Sequence, residues 1–278
     1  MKTKLNIRFA PSPNGYLHLG HAYSAVFCAE MAKKLGANFI VRIEDIDKER
    51  SKDIYMEAIF DDLKWLALTW QKPVLFQSTR FEAYKKASDK LKDKGLLYPC
   101  FCSRAEIKAA ALKKDPDGAP FYGGHCKKRS SDDVAKKLKA KIPHQWRLDM
   151  DKALAITGEV FYYKLEPDLI KQSTNPKAWG DVIILRKDIK TSYHLSVVVD
   201  DDFQNISHVT RGKDLEKSTD VHRVLQEILG LNAPIYIHHD LILDEDKNKL
   251  AKSKGALSLK NLREEGKNLT EIYKRIGF

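Results

Sequence analysis

The chain has 278 residues, 43% of them hydrophobic, which is enough for one large or two small packed domains, and it carries a formal net charge of +11 with an isoelectric point near 9.3. No apolar run approaches the ~18 residues that span a bilayer, so no membrane span is indicated, and Met1-Lys2-Thr3-Lys4 leads into a strand without the apolar stretch of a signal peptide, so a cytoplasmic protein is expected. Between Arg104 and Arg147 stand 12 basic and 5 acidic residues, and an excess so concentrated points to a polyanionic partner, RNA or DNA first.

The alternation Leu5, Ile7, Phe9 predicts a strand, and the apolar spacing from Ala22 to Leu35 predicts a helix. Between them, Pro11 and Pro13 stop the strand, Gly15 lets the chain turn, and His18-Leu19-Gly20-His21 opens the helix. A helix N-terminus offers free N–H groups and partial positive charge, which suit a phosphate, and histidines there can donate hydrogen bonds to its oxygens. Gly20 allows a ligand close to the backbone. Phe39-Ile40-Val41-Arg42-Ile43 reads as a buried parallel strand with Glu44 and Asp45 at its C-terminal end. A helix over Ser51 to Leu68, a short strand Val74-Leu75-Phe76 and a helix from Thr79 to Lys94, stopped by Gly95, complete the α/β pattern of a parallel sheet.

Near Tyr98 the organisation changes to a Lys-, Gly- and Pro-rich segment that reads as an insertion rather than part of the sheet, with a turn at Asp115-Pro116-Asp117-Gly118. Three of the four cysteines, Cys100, Cys102 and Cys126, cluster here, while Cys28 falls in the first helix and reads as a small core residue. In a reducing compartment clustered cysteines favour metal over disulfide. The α/β pattern resumes with Asp181-Val182-Ile183-Ile184-Leu185-Arg186 and Ser192 to Asp202, followed by Ile206 to Gly212, a helix over Leu215 to Leu229, and extended chain at Ile235 to His239 and Leu241 to Leu243. Then come Lys249-Leu250-Ala251-Lys252-Ser253 and two short helical patterns. There is no internal repeat and no low-complexity tract.

Lys249-Leu250-Ala251-Lys252-Ser253 resembles the Lys-Met-Ser-Lys-Ser loop of class I aminoacyl-tRNA synthetases, and His18-Leu19-Gly20-His21 resembles their His-Ile-Gly-His signature. Their order, flanking an inserted segment, makes the pair specific. Activation of a carboxylate by ATP expels pyrophosphate, so charge grows on the α- and β-phosphates; a histidine pair and a mobile lysine stabilise that charge most in the transition state. Further segments, Arg8-Phe9-Ala10-Pro11-Ser12-Pro13, Arg42-Ile43-Glu44-Asp45, Tyr193-His194-Leu195 through Val199-Asp200-Asp201, and His208 through Leu215, look like glutamyl-tRNA synthetase over nearly the whole chain. Two departures stand out: Ala251 replaces the loop's usual serine, and His21 is closer to the general class I signature than to that of the glutamyl enzymes.

The resemblance implies a Rossmann-like doubly wound parallel sheet with an inserted zinc-binding subdomain and a short C-terminal helical segment. The expected division is 1–97 and 181–240 for the two halves of the catalytic domain, 98–180 for the insertion, and 241–278 for the lysine loop and closing helices, with no anticodon-binding domain. It implies that Arg8, Ala10, Ser12, Glu44, Tyr193 and Arg211 hold glutamate, that His18, Gly20, His21, Lys249 and Lys252 hold ATP, and that His18, His21 and Lys252 act in catalysis. Only 25 residues follow Ser253, and the truncated family that the chain then resembles is that of glutamyl-queuosine tRNA(Asp) synthetases. That family activates glutamate with ATP and Mg2+ without RNA and esterifies queuosine in the anticodon stem-loop of tRNA(Asp). Its zinc site, Cys, Cys, Tyr, Cys, corresponds to Cys100, Cys102, Tyr122 and Cys126, with His125 an alternative fourth ligand and unligated thiols a further possibility. Lys127, Lys128 and Arg129 are candidates to grip RNA phosphate, or a solvated basic turn. A monomer is expected. Competing readings are a shortened conventional enzyme that charges the terminal adenosine, a zinc-containing RNA-binding module, and a nucleotidyltransferase acting on a small acid.

Overall fold

The structure is a computed structural model that describes residues 4–242 and 257–278. The first part runs β1 (Asn6–Phe9), α1 (Leu19–Lys34), β2 (Asn38–Ile43), α2 (Asp53–Trp65), β3 (Gln71–Phe76) and α3 (Phe81–Asp93). The middle follows with β4 (Leu97–Cys100), α4 (Arg104–Ala110), α5 (Ser131–Lys139), β5 (Gln145–Leu148), α6 (Met150–Thr157), β6 (Phe161–Leu165), β7 (Leu169–Ser173) and β8 (Ile183–Leu185). The chain then continues through α7 (Tyr193–Phe203), β9 (Ile206–Gly212), α8 (Thr219–Leu229), β10 (Ile235–His239), α9 (Leu259–Glu264) and α10 (Leu269–Ile276).

The main sheet has the order β3-β2-β1-β9-β10-β6-β7, parallel throughout except for the β6–β7 hairpin. The first crossovers run from β1 towards β3 and the later one from β9 to β10 on the other side, so β1 and β9 flank a point where the winding reverses. In such sheets the crevice beyond the strand carboxyl ends at that point is the natural ligand site.

Alternation along the strands decides what lies on each face. Ile7, Phe9, Val41 and Ile43 pack with Ala22, Ala25 and Val26 of α1, Ile59 and Leu63 of α2, and Leu259, Leu262, Ile272 and Ile276 of the closing helices. The side chains between them, Arg8 and Arg42, project instead towards α7, where Asp201 meets both. A second apolar core joins α3, β5, α6, α7 and α8 through Tyr84, Leu91, Leu148, Ala153, Leu195, Val198, Val221 and Leu225.

Two segments depart from the expected arrangement. Asp181 to Arg186 does not rejoin the parallel sheet: β8 pairs antiparallel with β5, and β5 with β4, in a separate three-stranded sheet. The cause lies in polar partners that hydropathy does not reveal. Arg147 Nη1 donates to the Asp181 carbonyl at 2.6 Å, while the Asp181 carboxylate accepts from the Met150 amide at 2.9 Å and the Tyr98 hydroxyl at 2.6 Å. Conversely, part of the segment read as an insertion extends the main sheet: β6 lies beside β10, and buried Tyr162 packs against Tyr236 with ring centroids 5.4 Å apart. Among the described residues no helix is long and apolar enough to cross a membrane.

Candidate active site

Beyond the carboxyl ends of β1, β2 and β9 lies a cleft of about 790 Å³. Arg8, Ala10, Ser12, His18, Gly20, His21, Glu44, Tyr193 and Arg211 all line it, so four stretches far apart in the chain converge as the motifs predicted. The loop after β1 is pinned to the end of β2 by the Glu44 amide, which donates to the Pro11 carbonyl at 3.0 Å. Lys249 and Lys252 lie outside the described residues. The flanks of that segment are at the cleft: Leu241 and Ile242 line it, and Ser258 forms a bridge with His18.

The inner end of the cleft is a set of buried charges. Asp201 receives a two-pronged contact from Arg8, Nε at 3.0 Å and Nη2 at 3.1 Å, and a third from Arg42 Nη1 at 2.6 Å. Arg42 also reaches Glu44 at 3.1 Å. Burial alone would raise the Asp201 carboxyl, but the charges of Arg8 and Arg42 outweigh it and hold Asp201 below the ordinary range. At Glu44 burial wins and the carboxyl is shifted upward despite Arg42 and Arg8.

Arg211 is arranged differently. Its guanidinium donates to His238 Nε2 at 3.3 Å, to His222 Nδ1 at 3.3 Å and to the Thr219 hydroxyl, and lies 5.0 Å from the centroid of the Tyr236 ring. It is 94% buried, and among the described residues no carboxylate lies within ion-pair distance of it. Arg8 and Arg42 therefore share Asp201 and Glu44, while Arg211, which also lines the cleft, has no carboxylate within ion-pair distance among the described residues.

The outer end is built on the start of α1. His18 is its N-cap: Nδ1 accepts from the Gly20 amide at 3.1 Å, and His21 Nδ1 accepts from the His18 amide at 3.2 Å. A neutral imidazole that accepts at Nδ1 carries its proton at Nε2, so this reciprocal cap turns both histidines into Nε2–H donors. The ring centroids stand 3.9 Å apart. A Cβ at position 20 would stand 3.0 Å from the His18 ring, so a side chain there would require that ring to shift, and glycine leaves an opening for a ligand.

The cysteine cluster sits in the middle segment, outside this cleft. The sulfur atoms of Cys100, Cys102 and Cys126 lie within 4.8 Å of one another, and no disulfide joins them. Sulfurs in a tetrahedral zinc site with ~2.3 Å bonds are roughly 3.8 Å apart, so the spacing fits a metal after small adjustment. The Tyr122 hydroxyl accepts from the Cys126 amide at 2.9 Å and belongs to the same knot; among the described residues the mutually close ligand atoms do not include His125. Burial would raise the Cys126 thiol, but Arg129 and the Phe101 amide bring it down to about 7, while burial and the neighbouring thiols push Cys102 up to about 12.

Of the basic turn, Lys127 contacts Asp149 at 3.0 Å, Asp151 at 3.1 Å and Asp181 at 3.2 Å, and Arg129 contacts Asp133 at 2.7 Å. These two brace the knot, and only Lys128 of the three lacks an acidic partner among the described residues. A more open basic surface lies in a second cavity of about 1160 Å³ between α3 and the turn after β8. Lys48, Arg104, Lys187 and Lys190 line it without carboxylate partners among the described residues, next to His144 and Trp146, and Asp47, Glu49, Glu82, Asp89 and Asp188 line it as well, so basic residues outnumber acidic ones without excluding them. Arg50 lines both cavities.

Sequence reasoning did not single out Arg42, Asp201, His222 or His238. A guanidinium inside a strand buried on both faces needs an acid, and that signal could have led to Asp201, which shares a helical face with Tyr193 at a spacing of two turns. No periodicity marks His222 or His238.

The family description "tRNA synthetases class I (E and Q), catalytic domain" matches residues 4–277. The chain is 42% identical to the glutamyl-Q tRNA(Asp) synthetase of Rhodobacter capsulatus over 281 residues, covering 97% of this chain and 99% of that protein. It is 38% identical to the glutamate–tRNA ligase of Aquifex aeolicus over 267 residues, covering 95% of this chain and 54% of that one. The crystal structure of the glutamate-tRNA synthetase from Elizabethkingia anophelis superposes with a TM-score of 0.74 at 26% identity, over 91% of this chain and 53% of that one. The chain thus spans nearly all of the Rhodobacter protein and about half the length of the other two. It belongs to the class I tRNA synthetases of the E and Q group, a family of ligases.

Proposed function

We propose that the chain activates L-glutamate with ATP and Mg2+, without RNA, and transfers the glutamyl group to queuosine in the anticodon stem-loop of tRNA(Asp). The observation that carries the first step is Arg211, a buried guanidinium without a carboxylate partner among the described residues, turned towards the cleft. The side-chain carboxylate of glutamate supplies the missing anion through a forked contact. Glu44 takes the ammonium, with Tyr193 and Arg8 beside it and Ala10 and Ser12 as the floor. Glutamate then directs its α-carboxylate towards the start of α1.

There a carboxylate oxygen attacks the α-phosphorus of ATP, the bond to the β-phosphate oxygen breaks, and pyrophosphate leaves. The Nε2–H groups of His18 and His21 donate to the phosphate oxygens as charge builds, and the close approach at Gly20 exposes the helix N-terminus to them. Lys249 and Lys252 are assigned to the leaving pyrophosphate. In the second step a hydroxyl oxygen of the queuosine cyclopentenediol attacks the acyl carbon, the bond from that carbon to the phosphate oxygen breaks, and AMP departs with the bonding electrons while its phosphate takes up the hydroxyl proton.

The choice of acceptor is supported by the likeness to the Rhodobacter protein over 99% of that protein's length. The cationic cavity that adjoins the cleft at Arg50 offers a bed for the RNA, with Trp146 and His144 as stacking surfaces. The part of the 98–180 segment that lies outside the main sheet, with β4, β5 and the cysteine knot, is read as the RNA-facing region. A second reading, charging of the tRNA terminal adenosine, is favoured by the 38% identity to the Aquifex ligase. The test is glutamate-dependent ATP–pyrophosphate exchange without RNA, followed by glutamate attachment to tRNA(Asp) with and without queuosine. Attachment only to the modified RNA supports the first reading; equal attachment to both, at the 3′ end, replaces it with the second.

The same reading assigns one structural Zn2+ to Cys100, Cys102 and Cys126, with Tyr122 as fourth ligand. Cys102→Ser is expected to release the metal and lower Tm by several degrees, because structural zinc contributes folding free energy directly. Exchange measured well below the new Tm is expected to persist, since the knot lies outside the cleft. Full zinc content and an unchanged Tm would remove Cys102 from the site.

A further inference from the structure

We propose that His222 and His238 are positioning residues that hold Arg211 as a buried cation without a counter-charge, and that this uncharged frame sets the preference for a carboxylate over a carboxamide at the inner end of the cleft. The proposal rests on the reading of Arg211 as the partner of the substrate's side-chain carboxylate.

The cleft contains its own contrast. Arg8 and Arg42 both have their charge met by Asp201, and Arg42 by Glu44 as well, although Arg42 Nε is left without a hydrogen-bond partner among the described residues. At Arg211 each guanidinium nitrogen has one acceptor, two N–H donors are left for a ligand, and no carboxylate within ion-pair distance among the described residues meets the charge. A guanidinium only donates, so His222 Nδ1 and His238 Nε2 must both accept, each as the unprotonated nitrogen of a neutral ring. The remaining protons then follow. His222 carries its proton at Nε2 and directs it to His194 Nδ1 at 3.3 Å. His238 carries its proton at Nδ1, facing Glu216 at 3.7 Å, beyond a normal hydrogen bond, while Glu216 is itself engaged by Lys164 at 3.0 Å. Glu216 is thus kept one imidazole away from Arg211 and is already paired. Burial, reinforced by the positive charge of Arg211, lowers His238 to about 3, His194 to about 4 and His222 well below its ordinary value, so the frame stays neutral at physiological pH.

An acid at position 222 or 238 would give Arg211 what it otherwise obtains only from the ligand. The test is ATP–pyrophosphate exchange with glutamate and with glutamine on the full chain, comparing His222→Asp with His222→Asn and His238→Glu with His238→Gln. The amides keep an acceptor near the position of the lost ring nitrogen; the acids add a charge. Hydrogen bonds to charged groups are each worth roughly tenfold to a hundredfold in an equilibrium, so at least one acid variant is expected to raise the KM for glutamate by tenfold or more. Its KM for ATP should stay within about threefold of the parent chain, and its preference for glutamate over glutamine should fall by a similar factor. The matching amide should keep most of that preference. Melting curves on all four variants identify any that do not fold, and the amides carry their own expectation if an acid variant is lost. Acid variants that retain the parent KM and selectivity, or amides that lose selectivity as fully as the acids, would overturn the proposal. Absence of glutamate-dependent exchange in the parent chain would instead overturn the reading of Arg211 on which it stands.

Discussion

Arg211→Ala is expected to raise the KM for glutamate in ATP–pyrophosphate exchange by about two orders of magnitude or more, with the KM for ATP nearly unchanged and selectivity over glutamine lost. The size follows from two charge-assisted hydrogen bonds in a buried site, each contributing about 1.5–3 kcal/mol. Arg211→Lys is expected to recover only part of the loss, because an ammonium keeps the charge but not the fork. The stability of the alanine variant supplies a second measurement. Arg211 donates to two imidazoles and a hydroxyl and, among the described residues, to no carboxylate, so its removal strands no buried anion. Tm is therefore expected to change by no more than a few degrees. A large fall in Tm with unaltered glutamate selectivity would mean that Arg211 serves the fold and not the ligand. Such a separation is characteristic of a binding site that is kept unsaturated at the expense of stability.

The same distinction explains how much could be read from residues alone. The strands β1, β2 and β9 and the loop before α1 were legible because each is a continuous local pattern: a buried run, a pair of prolines, a histidine tetrad at a helix start. Their convergence on one cleft followed from the strand–helix–strand order, since parallel strands place their carboxyl ends together. What escaped was pairing at a distance. Asp201 stands on a helix 193 residues beyond Arg8 in the chain, and nothing local reports that it closes a charge network with two strands. Ile183 to Leu185 is apolar enough for either sheet, and its place beside β5 depends on Arg147 and on the three bonds at Asp181. The Tyr162 strand was hidden because its outward residues Phe161 and Tyr163 are aromatic too, so the alternation that marks a half-exposed strand is blurred. Lys127 shows the converse: a basic turn invites an RNA assignment from composition, whereas three carboxylates fold the ammonium inward.

Asp201→Asn should be the most destabilising single substitution in the cleft. Arg42 is fully buried and Arg8 is 5% exposed, and Asp201 is the acid that contacts both. Replacing it with an amide of the same shape preserves packing but leaves two like charges close together, opposed by Glu44 and, for Arg42, by the charge of Asp200. Breaking a buried pair from one side costs about 3–5 kcal/mol, and in a chain of this size that is on the order of 10 °C in Tm. The pH dependence has a definite sign. The Asp201 carboxyl lies below its ordinary value in the fold, so the unfolded chain takes up its proton first as pH falls. Its contribution is complete above the ordinary aspartate range and declines as pH drops through that range towards the folded value. The stability difference between the parent chain and Asp201→Asn should accordingly be largest near neutrality and shrink on acidification, as followed by denaturant titration at a series of pH values. A difference that stayed constant with pH would assign the loss to altered packing rather than to the missing charge. Because Arg8 lines the cleft through the same network, the variant should also bind glutamate more weakly when assayed below its Tm, whereas Arg211→Ala shows the weakening without the loss of stability.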